Sequence, residues 1–128
     1  MKPIKSILIF CTFFLFISCS ASFGEKYTLG NLEIYYTSEN ISDRLVIATG
    51  AYFRENDLIL DHPHSIQLTS DETSYLVNIV LEKPTEELTP LARINFKLLE
   101  DDLGEKVFNG MNVKIQLCNA NFMVVQTL

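Results

Sequence analysis

The segment Tyr75-Leu76-Val77-Asn78-Ile79-Val80-Leu81 decides the fold of this 128-residue chain. Every second residue from Tyr75 to Leu81 is apolar, which is the period of a β-strand with one face on a core. Leu76 and Val80 make the opposite face partly apolar as well, which is typical of a strand that has neighbours on both sides. We therefore predict that residues 73–82 form a central strand.

The segments on either side of this strand predict further strands and a first helix. Strands are predicted over residues 26–36, 65–70, 112–118 and 122–128, with a turn or kink at Gly30-Asn31. Asn40 or Ser42 is a suitable N-cap for a helix that ends near Asn56. Gly50 inside this helix indicates that another element approaches it closely, since glycine is otherwise unfavourable in a helix.

A second helix begins at Thr89-Pro90, because threonine is a good N-cap and proline suits the first helical position. Its end is predicted at Gly104 or at Asn109-Gly110. Helical spacing gives it a core-facing stripe of Ala92, Phe96, Leu99, Leu103 and Val107, which three more apolar residues widen: Leu91, Ile94 and Leu98.

Together these elements predict a single α+β domain over residues 26–128. The order β-α-β-β-α-β is the ferredoxin-like pattern, here followed by one more C-terminal strand. We expect an antiparallel sheet with both helices on one face. The remaining length has no room for a second domain.

The N-terminus reads as an export signal. Lys2 and Lys5 precede an apolar run over residues 7–17, which is shorter than the roughly 20 residues that a membrane-spanning helix needs. The residues that end the run, Phe16-Ile17-Ser18-Cys19, resemble the lipobox of bacterial lipoprotein precursors. This resemblance implies that residues 1–18 are removed, that Cys19 carries the lipid and that residues 19–25 form a tether. Phe16 departs from the usual leucine of that motif.

Two other interpretations of the leader stay open. Ordinary cleavage after Ala21 would use Cys19 and Ala21 as the small pair, and Cys19 could also be one more apolar residue of the signal. Under the lipidation hypothesis, the chain is held at the membrane of the cell envelope by its N-terminal lipid and faces the periplasm, because residues 20–24 contain no acidic run. Only Cys118 would remain as a thiol, so no intramolecular disulfide is available.

The charge balance narrows the class of partner. The chain has 10 basic and 16 acidic residues, and losing Lys2 and Lys5 with the leader would leave 8 against 16. Nucleic acid binding requires a basic face, so we exclude nucleic acid as a partner. An acidic surface is more simply a means of staying soluble.

Two candidate sites follow from the predicted elements. One is the sheet face away from the helices, where an envelope protein partner could bind; its predicted residues are Tyr35, Leu76, Asn78, Val80, Lys114 and Gln116. The other is the loop that carries Asp61, His62 and His64, whose ligand chemistry suits zinc. A closed zinc site needs four ligands, so we interpret this loop as solvated and predict no metal or other cofactor. We likewise interpret Glu100, Asp101 and Asp102 as part of the solvent-exposed face of the second helix.

The mature part is also similar to a group of small bacterial envelope proteins without an assigned activity. The shared features are Tyr35-Tyr36, Gly50-Ala51-Tyr52, a segment from Val107 to Gly110, and the pattern Val113-x-Ile115-x-Leu117-Cys118. The resemblance implies no functional residues. No catalytic motif is present, so we predict a lipid-anchored binding or structural module of the envelope rather than an enzyme. The alternative is a small metal-dependent enzyme or metal-binding protein that uses the His62 and His64 loop.

Overall fold

The computed structural model describes residues 23–128, so the predicted leader and Cys19 lie outside the described residues. The elements are β1 (Glu25–Leu29), β2 (Leu32–Tyr36), α1 (Asp43–Glu55), β3 (His64–Ser70), β4 (Tyr75–Val80), α2 (Pro90–Lys106), β5 (Val113–Cys118) and β6 (Val124–Thr127). The α+β class and the β-α-β-β-α-β order with a further C-terminal strand are confirmed. The predicted turn at Gly30-Asn31 divides the first strand into the hairpin β1–β2.

The six strands form one open sheet in chain order, from β1 to β6. β2 and β3 are parallel, as are β4 and β5, whereas the other neighbouring pairs are antiparallel. The sheet is therefore mixed, which corrects the expectation that it is antiparallel. The physical reason is that α1 and α2 each return the chain to the end where the previous strand began, and the next strand pairs directly with that strand. The open sheet and its two helices are otherwise consistent with a ferredoxin-like arrangement.

The core lies between the helices and one face of the sheet. The strand registers align Ile34, Ile66, Ile79 and Leu117 in one row and Leu68, Val77 and Ile115 in the next. All of these except the half-buried Ile79 are buried, together with Val46 and Phe53 of α1 and Leu103 of α2. Because residues of both helices join this one cluster, both helices cover the same face, as predicted.

The helix ends follow the capping residues. Ser42 caps α1 by accepting the backbone N–H of Leu45 at 3.2 Å, and Thr89 caps α2 by accepting that of Ala92 at 3.2 Å. At Gly50, a Cβ atom would lie 3.1 Å from Cε1 of Tyr27. The glycine therefore lets β1 pack closely on α1, which confirms the expected close approach.

The expected width of the α2 stripe is wrong. Phe96, Leu99 and Leu103 face the core, but Leu91, Ile94 and Leu98 are 67%, 56% and 61% exposed. The helix forms a single layer over the sheet, so only one side of it has anything to pack against.

Candidate functional site

The sheet face that points away from the helices, which we call the outer face, contains all six residues of the predicted interaction face. The registers place Tyr35, Gln67, Asn78 and Gln116 in one row across four strands. Leu76 lies beside Lys114, and Val80 lies beside Cys118. The structure thus brings these predicted residues onto one surface.

Part of the outer face is covered by the chain itself. Phe23, Tyr35 and Phe122 form an aromatic cluster with edge-on contacts, and their ring centroids are 5.3 to 5.7 Å apart. Asn78 is buried and donates a hydrogen bond from Nδ2 to Oε1 of Gln67 at 3.0 Å, while its Oδ1 has no partner among the described residues. Tyr35 is therefore engaged within the protein, and the open part of this face is nearer to Leu76 and Lys114.

Cys118 lies on the covered part of the outer face and is fully buried. Burial raises the pKa of its thiol, because the thiolate would lose its hydration. A nucleophilic cysteine needs the opposite shift. The side chain therefore acts as a small apolar residue of the sheet.

The histidine loop joins α1 to β3 and holds its two rings by separate contacts. Nε2 of His62 lies 2.7 Å from Oε1 of Glu82, and its Nδ1 lies 3.2 Å from Oδ1 of Asp61. Nε2 of His64 accepts the backbone N–H of Leu60 at 3.0 Å, which places the proton of the neutral ring on Nδ1. Burial, and then the neighbouring His62, lower the pKa of His64.

These contacts do not assemble a metal centre. Metal ligation needs a free imidazole lone pair, but Nε2 of His64 is used by Leu60 and both nitrogens of His62 face carboxylates. Within residues 23–128, no three or more His, Cys, Asp or Glu side chains are grouped so that they could hold a metal ion. His62 and Glu82 form a polar rim instead, and Asp61 contacts His62 from the solvent side.

Beneath this rim lies an apolar cleft with a volume of about 410 Å³. Larger depressions of about 540 and 650 Å³ elsewhere on the described residues are wider open and have more polar walls. The cleft wall is built from α1, the loop between α1 and β3, β3, the end of β4 and α2. Its apolar residues include Phe53, Leu58, Ile66, Ile79, Leu81, Phe96 and Leu99. An apolar concavity of this size with a few polar groups at its mouth is the usual form of a small-ligand site.

The cleft was not predicted from the sequence, although most of its lining residues lie in predicted strands and helices. Ile79, Phe96 and Leu99 carry the periodic signal of core residues, and that signal does not distinguish a filled core from a concavity. No sequence pattern marks Glu82 as a site residue, because its pairing with His62 depends on how the histidine loop folds against the end of β4. The histidine loop is therefore the rim of a site formed mainly by apolar side chains.

The acidic cluster on α2 is only partly solvated. The Glu100 side chain is 13% exposed, and its Oε2 accepts the backbone N–H of Ile115 at 2.8 Å. Asp102 accepts a hydrogen bond from the hydroxyl of Tyr52 and lies 3.1 Å from Nζ of Lys106. Two of the three carboxylates, Glu100 and Asp102, thus connect helices and strands. The expected solvent-exposed position applies only to Asp101.

Neither helix within residues 23–128 has the length and hydrophobicity that crossing a bilayer requires.

Searches of curated proteins and of solved structures found no significant match to the chain. Residues 26–128 match the family model AF_1994_N, which is described as a family N-terminal domain. This match covers all eight elements except the first residue of β1. The chain therefore belongs to the AF_1994_N family, through its N-terminal domain.

Proposed function

We propose that this protein is a lipid-anchored binding module of the bacterial cell envelope. The leader and the Phe16-Ile17-Ser18-Cys19 motif support the anchor, with Cys19 as the acylated N-terminus and the domain facing the periplasm. Two or three acyl chains on one residue give lasting attachment, because each buried methylene contributes about 0.8 kcal/mol. The apolar cleft is the observation that supports binding as the activity.

The cleft suits a ligand with an apolar body and a hydrogen-bonding head. Phe53, Phe96 and Leu99 offer dispersion contacts to the body, and the Glu82 carboxylate, which His62 holds at the rim, offers an acceptor to the head. No nucleophile lies beside the pair in the cleft other than Ser65, whose position on β3 gives it no base partner among the described contacts. The arrangement therefore favours binding over covalent catalysis.

Nile red, a neutral apolar dye, is a suitable probe of the cleft in the full-length protein. Leu99 lines the cleft, whereas its neighbour Leu98 is exposed outside it. We expect Leu99→Trp to fill the cleft and remove most of the dye fluorescence, and Leu98→Trp to retain it. Equal fluorescence in the two variants, or none with the parent protein, would show that the cleft is not the binding site.

The anchor is tested by the intact mass of the protein extracted from membranes. We expect a species that begins at Cys19 and carries the mass of acyl chains. A species that begins at Ser22 without lipid would overturn the anchor. Replacement of Cys19 by serine should release the chain from the membrane, and retention of that variant would lead to the same conclusion.

An envelope protein partner on the open part of the outer face also belongs to this proposal. Lys114 is exposed there, and Lys97 is exposed on α2 on the other side of the sheet. A photo-crosslinker at position 114 in native membranes should capture a discrete partner that the same crosslinker at position 97 does not. Equal capture from both positions would exclude a specific interface at the outer face.

A further inference from the structure

The chain enters the fold on the outer face, beside the turn between β5 and β6. Phe23, the first described residue, packs its ring 5.3 Å from that of Phe122 and 5.7 Å from that of Tyr35. The next residue, Gly24, has a φ of +92°, and a Cβ on it would lie 2.5 Å from the carbonyl oxygen of Tyr36. Only glycine permits this close approach, so the backbone is held against β2 where it joins the domain.

The turn between β5 and β6, residues 119–123, is held in place by hydrogen bonds to the Asn119 side chain. Oδ1 of Asn119 accepts the backbone N–H groups of Asn121 at 2.9 Å and Met123 at 3.1 Å. Phe122 has a φ of +58°, and its ring joins the aromatic cluster. The residues that follow it point apolar side chains to solvent: Met123, Val124 and Val125 are 62%, 47% and 42% exposed.

This exposed apolar patch lies in a stretch without charge. Residues 115–128 contain no Asp, Glu, Lys or Arg, although the chain has 16 acidic and 10 basic residues. Contact with a lipid surface would therefore bury no charged side chain of this stretch and would bring no acidic side chain of this stretch near anionic headgroups. Elsewhere the acidic surface would be repelled by such headgroups.

We propose that the patch of Met123, Val124 and Val125 rests on the lipid bilayer, so that the domain is held in one orientation. This inference rests on the proposed anchor at Cys19. Phe23 is the fourth residue after Cys19, and an extended chain spans at most about 3.5 Å per residue step, or about 14 Å over these four steps. The acylated end thus keeps the aromatic cluster, and the turn beside it, next to the membrane.

A second exposed apolar stripe provides the control. Leu91, Ile94 and Leu98 lie on the solvent side of α2, which covers the opposite face of the sheet from Phe23. Leu98 is 61% exposed, nearly the same as Met123 at 62%. The proposed orientation turns Met123 toward lipid and Leu98 toward water.

The chain contains no tryptophan, so a single introduced tryptophan reports only its own surroundings. Met123→Trp and Leu98→Trp would be made in the full-length protein, purified in acylated form and reconstituted into phosphatidylcholine and phosphatidylglycerol vesicles. Brominated lipids then quench tryptophan from within the bilayer, and iodide quenches it from water. We expect brominated lipid to remove most of the emission of Met123→Trp and iodide to quench Leu98→Trp several-fold more strongly than Met123→Trp.

Flotation of the parent protein with the vesicles is scored first. Loss of flotation would overturn the anchor and, with it, the orientation. If the protein floats but iodide quenches both tryptophans equally, the anchor stands and the orientation is wrong. If Met123→Trp is shielded from both quenchers, the patch is covered by a second protein molecule, and contact with lipid is likewise overturned.

Discussion

At the scale of single residues, Tyr52 and Asp102 join the two helices. The Tyr52 hydroxyl donates a hydrogen bond to the Asp102 carboxylate, which also lies near Lys106. Burial and the neighbouring carboxylate raise the pKa of Tyr52 to about 12, and the hydrogen bond from Tyr52, followed by that from Lys106, lowers the pKa of Asp102. A carboxyl group with a lowered folded-state pKa stabilises the protein above its unfolded value near 3.9 and loses that contribution as the pH falls.

Replacement of Tyr52 by phenylalanine should therefore flatten the acid side of the stability profile. The parent protein should lose stability as the pH falls below about 4, because the unfolded chain binds a proton at Asp102 before the folded chain does. Urea unfolding between pH 6 and pH 3 measures this slope. An identical slope in Tyr52→Phe would show that the hydrogen bond does not set the pKa of Asp102.

His64 predicts a second pH dependence at higher pH. Its pKa is lowered by burial and by His62, so between its folded value and about 6.5 the unfolded state binds more protons. Stability should therefore fall as the pH drops through 6.5 and level off below the folded pKa, where protonation also breaks the bond from Leu60. Urea midpoints from pH 8 to pH 5 should show this step in the parent and a smaller step in His64→Gln, and equal steps would contradict it.

At the scale of elements, α2 shows how packing selects one side of an amphipathic helix. Leu103 is fully buried, whereas Leu98 is mostly exposed although both were expected to face the core. We predict that Leu103→Ala lowers the free energy of unfolding by about 2–5 kcal/mol, because it leaves a cavity in the core. Leu98→Ala should change it by less than about 0.5 kcal/mol. Chemical denaturation of the two variants measures this difference, and similar losses would place both residues in the core.

The two β-α-β connections of the sheet differ in their handedness. β2 and β3 run opposite to β4 and β5, the strands follow one another across the sheet, and both helices cover one face. The two β-α-β crossovers must therefore have opposite hands, whereas about 98% of such crossovers are right-handed. The side-chain periods that locate strands and helices contain no information about this choice.

At the scale of the whole molecule, the aromatic cluster links the start of the described chain to its last hairpin. Phe122 contacts both Phe23 and Tyr35, and its φ of +58° is unfavourable for a residue with a side chain. The aromatic contacts offset that cost. They also hold the covered part of the outer face, where Asn78 is buried.

We predict that Phe122→Ala destabilises the protein by about 1–3 kcal/mol, since Phe122 forms two aromatic pairs and each pair contributes about 0.5–1.5 kcal/mol beyond burial. Met123→Ala is the matched control, because the adjacent side chain is exposed and should cost less than about 0.5 kcal/mol in detergent solution. Thermal unfolding of both variants tests this. Equal melting temperatures would mean that the cluster does not contribute to stability.

Much of the fold was predictable because its signals are local. Thr89-Pro90 and Ser42 set the helix starts through their caps, and the alternation from Tyr75 to Leu81 identified a central strand. The candidate site was only half predictable. His62 and His64 stood out as ligand-type residues, but the apolar cleft beneath them and the partner Glu82 come from elements far apart in the chain.

The sequence by itself determined the element order, the helix caps and the acidic character of this protein, because each depends on residues within about one turn or strand of each other. The proposed anchor at Cys19 is likewise a local pattern. Only the tertiary structure decided the parallel pairing of β2 with β3 and β4 with β5, the exposure of Leu98, the cleft and the meeting of Phe23 with Phe122. These depend on contacts between distant segments, where packing of the whole sheet selects one arrangement among several that satisfy the same local periods.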